Sequence, residues 1–122
     1  MPLTKAQQLE YIAHLVGECQ KCDLYKTATH PVPGFGNSEA AIVFIGEAPG
    51  EQEDKRGLPF VGNSGKLLDK LLNTIKVPRS DVFICNILKH RPPGNRDPLP
   101  PEMKVCTPYL KAQLKIIKPK VV

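Results

Sequence analysis

The sequence predicts an α/β fold built on a parallel sheet, and two observations carry that expectation. Residues 41–45 (AIVFI) and 82–88 (VFICNIL) are continuous apolar runs, the pattern of strands buried on both faces of a parallel sheet. Each run is followed by a segment of helical periodicity, and strand–helix–strand–helix order is the signature of the α/β class.

The elements follow in order along the chain. Residues 4–18 carry Leu9, Ile12 and either Ala13 or Val16 at spacings of three and four, which reads as one amphipathic helix with Thr4 as its N-cap. Residues 19–40 read as irregular, with turns at Pro31, Pro33, Gly34 and Gly36. The first strand ends at Gly46, and GEAPGEQEDKRGLPFVG reads as one long loop. Ser64 then opens a helix with a stripe of Leu67, Leu68, Leu71, Leu72 and Ile75, closed by Pro78. After the second strand, residues 91–101 hold five prolines, and a third helix spans about 101–117. Lys118-Pro119-Lys120 then leads to Val121, which reads as the start of a further buried strand with nothing to pair with. On that reading the chain is the front portion of a larger domain, truncated after residue 122.

The chain has 122 residues, the size of one domain. Apolar residues make up 41% and charged residues 24%, an ordinary globular composition that argues against disorder. No apolar run approaches the ~20 residues that cross a bilayer, so membrane association is not expected. Seventeen basic and twelve acidic side chains give a net charge of +5. Residues 1–86 hold nine basic and ten acidic groups, whereas residues 87–122 hold eight basic and two acidic. A positive field concentrated in one third of the chain favours polyanions such as nucleic acid. Lysines scattered over a solvated helix face would give the same count.

In a parallel α/β sheet, ligands bind beyond the carboxyl ends of the strands. Glu47 follows the first strand and Asn86 ends the second, so both should emerge at one edge. A carboxylate there can hold a water, and an amide that both donates and accepts suits the edge of a nucleobase. Phe60, between Pro59 and Val61 in the loop of the same region, offers a stacking surface. The glycines of GLPFVGNSGK do not make a phosphate-binding P-loop, because Gly62 precedes Asn63 and Gly65-Lys66 precedes Leu67.

Cys19 and Cys22 form a C-x-x-C after the first helix, a spacing shared by redox, zinc and iron–sulfur sites. Cys106 lies in the third helix, and His90 follows the second strand. These four form one candidate metal site, with Cys85, inside the strand, as the competing fourth ligand. Disulfides are disfavoured in a chain without a secretion signal.

Four segments in order, the C-x-x-C, GEAPGEQED (46–54), GLPFVGNSGKLL (57–68) and NILKHRPPGNRDPLPPE (86–102) with Cys106, resemble the family 4 uracil-DNA glycosylases. These are iron–sulfur enzymes of bacteria and archaea that excise uracil from DNA. The resemblance runs roughly from Ile12 to Val122. It implies a three-layer α/β/α sandwich around a short parallel sheet, and it assigns roles by position. Glu47 would hold the attacking water, Phe60 would stack on the flipped uracil, and Asn86 would read its edge and reject cytosine. Backbone N–H groups of residues 46–50, beginning at Gly46, would face the uracil oxygens. On the charge of the segment from Lys89 to Lys120, Lys89, Arg91 and Arg96 would contact the DNA backbone. Cys19, Cys22 and Cys106 match three ligands of a [4Fe-4S] cluster. The family places cysteine between the lysine and arginine of its K-C-R-P-P segment, where this chain has His90; a Cys3His cluster is therefore expected, with zinc as the alternative. The family's His-Pro-Ser segment lies beyond the matched region. The resemblance thus implies a monomeric, cytoplasmic DNA-repair hydrolase acting on uracil-containing DNA. The competing class is a metal-clipped nucleic-acid-binding module without catalysis.

Overall fold

The computed structural model describes residues 2–122. Helix α1 spans Lys5–Gly17, and Thr4 caps it as its sequence position suggests. The Thr4 hydroxyl accepts the Gln7 N–H at 3.1 Å while the Thr4 N–H donates to Gln7 Oε1 at 2.9 Å. This reciprocal pair satisfies two orphan donors.

The segment read as irregular holds two short elements, helix α2 (Leu24–Thr27) and strand β1 (Phe35–Gly36). Strand β2 is Val43–Gly46 and strand β3 is Phe83–Asn86, both shorter than the apolar runs containing them. They pair in parallel, with Gly46 opposite Asn86. Strand β1 pairs antiparallel with the other side of β3, giving the order β1-β3-β2. The sheet is therefore mixed rather than purely parallel. Two residues flanked by Gly34 and Gly36 leave no apolar run from which β1 could be read.

The loop after β2 contains helix α3 (Glu51–Arg56), whose charged sequence has no apolar stripe. Helix α4 is Asn63–Thr74, and helix α5 is Pro100–Ile117. Val121 is not unpaired: it forms a parallel bridge with Ile42, and its carbonyl accepts the Val43 N–H at 3.0 Å. That contact extends the sheet edge beside β2.

Side-chain alternation along β3 sorts the core into layers. Phe83 and Cys85 pack with Ala40, Val43, Leu110 and Ile117, toward α1 and α5. Val82 and Ile84 pack with Leu68 and Leu72 of α4 on the opposite face. Helices thus cover both sides of the sheet, the three-layer arrangement. Only two of the five stripe residues, Leu68 and Leu72, are used, because Leu67, Leu71 and Ile75 are exposed. Neighbouring helical residues lie about 100° apart, so a face that buries Leu68 and Leu72 turns the residues before them outward.

Candidate functional site

Parallel pairing of β2 with β3 brings Gly46 and Asn86 side by side at the carboxyl edge of the sheet. Past the strands the pairing continues, with Ile87 N–H donating to Gly46 O at 2.9 Å and Leu88 N–H to Glu47 O at 3.0 Å. The main chain of Glu47 is thereby fixed while its side chain stays exposed. That carboxylate makes no hydrogen bond or ion pair among the described residues, so it is free to hold a water.

Asn86 is only 3% exposed, yet its side-chain amide has no hydrogen-bond partner among the described residues. It borders a cavity of about 350 Å³ lined also by Gly46, Glu47, Phe60, Ser64 and Arg96. Among the described residues no fully buried side-chain N or O atom lacks a partner, so the amide atoms of Asn86 meet the open space of the cavity. An unspent amide facing a cavity is therefore available to a ligand that presents both a donor and an acceptor.

The floor of the cavity requires glycine at position 46. A Cβ there would sit 2.7 Å from Phe60 Cζ and would overlap Asn86 Oδ1. Phe60 itself has a left-handed backbone, with φ of 52°, which is unusual for a bulky residue. The site thus combines an aromatic face, an amide edge and a carboxylate around one opening.

Glu53 joins two walls of this cavity and was not legible from its sequence position. It is 7% exposed, and its carboxylate accepts N–H groups from Gly50 (2.9 Å), Val61 (3.0 Å) and Gly62 (2.8 Å). The Gly50 N–H is therefore spent, which removes it from the donors expected to face a base. The only signal for Glu53 is its place three residues after Gly50, where a glutamate can fold back on a helix start. Next to it, Asp54 Oδ1 accepts from Thr29 N–H at 2.8 Å and His30 N–H at 3.2 Å, tying the segment before β1 to α3.

The three basic residues expected to meet DNA differ in placement. Lys89 is corrected: it is fully buried, and its ammonium donates to Asn86 O and to Gln113 Oε1, both at 2.8 Å. Burial pushes its pKa down, partly offset by Cys85 and Cys106. A buried ammonium spent on internal acceptors does not reach a phosphate. Arg91 donates to Asn95 Oδ1 at 2.7 Å. Arg96 is exposed beside the cavity and paired in bidentate fashion with Glu102, at 2.9 and 2.7 Å. These hydrogen bonds raise the Arg96 pKa and hold the Glu102 carboxyl below its usual range.

Cys19, Cys22 and Cys106 gather in one core cluster with Val16, Leu24, Leu88 and Tyr109. All the cysteines are free thiols. Cys106 Sγ accepts the Lys89 N–H at 3.2 Å. Burial raises the Cys22 and Cys106 pKa values, and the neighbouring thiols add to the rise. His90, 7% exposed, lines a cavity of about 190 Å³ together with Cys19 and His30. Burial lowers its pKa and so favours the neutral imidazole, against the opposing charge of Asp54. Cys85 packs in a separate core cluster with Ala40, Val43, Leu110 and Ile117, on the same α1 and α5 side of the sheet. Among the described residues, no three histidine, cysteine or acidic side chains form a ready-made site for a single metal ion.

Taken together, the fold and the site define an α/β/α domain with a nucleobase-sized opening at the carboxyl edge of its sheet. Residues 33–122 match the family model of the uracil DNA glycosylase superfamily, and the chain belongs to that superfamily. Within it, the chain is similar to type-4 uracil-DNA glycosylases. It is 53% identical to that of Archaeoglobus fulgidus over 95% of this chain and 58% of the relative. For the Saccharolobus solfataricus enzyme the figures are 54%, 93% and 53%, and for that of Thermotoga maritima 46%, 98% and 62%. The chain thus spans little more than half the length of the curated relatives it matches. No helix among the described residues is long and apolar enough to cross a membrane.

Proposed function

We propose that this protein hydrolyses the N-glycosidic bond of deoxyuridine in DNA, acting on a base flipped out of the stack. The observation that carries this reading is the unpaired Asn86 amide, 3% exposed, on a cavity shared with Phe60 and the unpartnered Glu47. A base inside a duplex cannot present its recognition edge and its glycosidic carbon together, so it must leave the helix. Once extruded, its face would lie on Phe60 and its edge on the Asn86 amide.

Departure of uracil places negative charge on the base and positive charge on the sugar. The Asn86 amide meets the first as a preorganised hydrogen-bond donor. Glu47 stabilises the second and holds the water that attacks it. Phosphate contacts would come from Arg91, from Arg96 and from the exposed lysines of α5, with Lys89 left out.

The residues around Cys106 suit a thiolate-bound group. Cys19, Cys22 and Cys106 supply soft donors and His90 a neutral imidazole, a set that serves iron–sulfur clusters and zinc alike. The N–H of Lys89 on Cys106 Sγ is the kind of contact that tunes a cluster sulfur. Held by these four residues, a [4Fe-4S] cluster would clip the α1–α2 segment to α5.

Asn86→Asp tests the reading of the base. In single-turnover assays the change should relax the rejection of cytosine and weaken uracil excision, since a well-placed pair is worth about 1–3 kcal/mol of discrimination. Unaltered selectivity would remove Asn86 from the site.

A further inference from the structure

Phe60 stands in a conformation that nothing in its own chemistry favours. Its φ is 52°, where a bulky side chain is strained and must be held by its surroundings. The structure shows what does the holding. The Phe60 carbonyl accepts a hydrogen bond from Arg79 Nη2 at 2.6 Å. Arg79 is itself aimed by Asp69, whose Oδ1 accepts its Nε–H at 2.9 Å. Room for that carbonyl exists because residue 65 is glycine; a Cβ there would overlap Phe60 O and its carbonyl carbon. On the other side, the N–H groups of Val61 and Gly62 are both taken by Glu53 Oε2. Neither Arg79 nor Asp69 lines the cavity.

Resting on the reading of Phe60 as the stacking face, we propose that Arg79 and Glu53 are positioning residues that clamp Phe60 in its left-handed turn and so set the height of that face above Gly46. The two residues act on opposite sides of the turn. Arg79 fixes the carbonyl of residue 60, and Glu53 fixes the amides that follow it. Releasing either lets the turn relax toward an ordinary φ, which swings the ring away from Gly46 and opens the gap in which a planar base would fit. The strain is sustained by charge-assisted hydrogen bonds, which are the stronger kind. Arg79 lies outside the cavity lining, so it acts on the base only through Phe60, whereas Glu53 also borders the cavity and holds the Gly50 N–H.

A double-mutant cycle separates this from a general loss of stability. Arg79 is one-third exposed on its side chain, so Arg79→Met should fold. With a uracil-containing single-stranded oligonucleotide as probe, Arg79→Met should lower excision about tenfold, a charge-assisted hydrogen bond's worth, and Arg79→Lys should restore part of it. In a Phe60→Ala background, Arg79→Met should change almost nothing. Equal losses in both backgrounds would overturn the proposal. Phe60→Ala without effect would instead sink the reading of Phe60 as the stacking face. A second measurement does not depend on turnover: the Phe60 ring resonances, followed by NMR, should shift and broaden in Arg79→Met and in Glu53→Gln. Ring resonances identical to those of the unaltered protein in both variants would also overturn the clamp.

Discussion

Replacing Gly46 by alanine adds one methyl group at the floor of the candidate site. Position 46 has no positive φ, so the backbone accepts alanine and the effect is purely one of space. The new carbon would lie 2.7 Å from Phe60 Cζ and 3.0 Å from Phe60 Cε2, and would overlap Asn86 Oδ1. Carbon atoms in contact prefer about 3.5–4.0 Å. The Phe60 ring must therefore retreat by ~1 Å, and the Asn86 amide must turn aside by at least as much. Overpacking of this kind costs about 1–3 kcal/mol of stability. The ring and amide both border open space of about 350 Å³, which places the cost at the low end. Catalysis suffers more, because a misplacement of ~1 Å can cost about a hundredfold in rate. Single-turnover excision from a uracil-containing oligonucleotide should accordingly fall about a hundredfold, while the thermal transition followed by circular dichroism shifts only slightly. Excision within about threefold of the unaltered protein, with the fold intact, would show that no base occupies the space between Phe60 and Asn86.

Two other expectations concern the thiol cluster and the start of α5. Purified protein should carry about four irons per chain; His90→Ala should release them, whereas Cys85→Ala, in a separate core cluster, should retain them. One zinc and no iron would assign the same donors to a different metal. Arg96 holds Glu102 below its usual carboxylate range, so this carboxylate adds stability that is fully present above the ordinary value of 4.5 and is lost as pH falls through the lowered folded-state value. Glu102→Gln should flatten that part of the acid denaturation profile measured from pH 7 downward. A profile unchanged by the substitution would mean the pair contributes nothing to the folded state.

Much of the architecture was legible because burial on both faces leaves a plain trace. The runs around Val43 and Ile84 announce buried strands, and the rule that ligands gather beyond parallel strands points to Glu47 and Asn86. The structure does bring these two and Phe60 to one cavity. What escaped notice depends on contacts that no local pattern records. Lys89 reads as a surface cation, and only its distance from Asn86 O and Gln113, 24 residues away, shows that it is buried and spent. Glu53 reads as one more charge in a polar helix, although it gathers amides from two loops. Arg79 reaches Phe60 across 19 residues, and Gly65 matters only because of the carbonyl it lets approach. Strand β1 escaped because two residues between glycines have no period to detect. Short-range periodicity reports which face is buried; it carries no information about which distant backbone group a charged side chain will meet.

The central claim is that Glu47, Phe60 and Asn86 together hydrolyse a glycosidic bond rather than merely hold a base. Incubation of the intact protein with a uracil-containing oligonucleotide in ¹⁸O-labelled water, followed by mass spectrometry of base and DNA, addresses it directly. The account predicts free uracil together with an abasic strand carrying the label at the sugar, and a large drop in both with Glu47→Gln. DNA that is bound but recovered with its uracil still attached would contradict it and mark this site as one for binding alone.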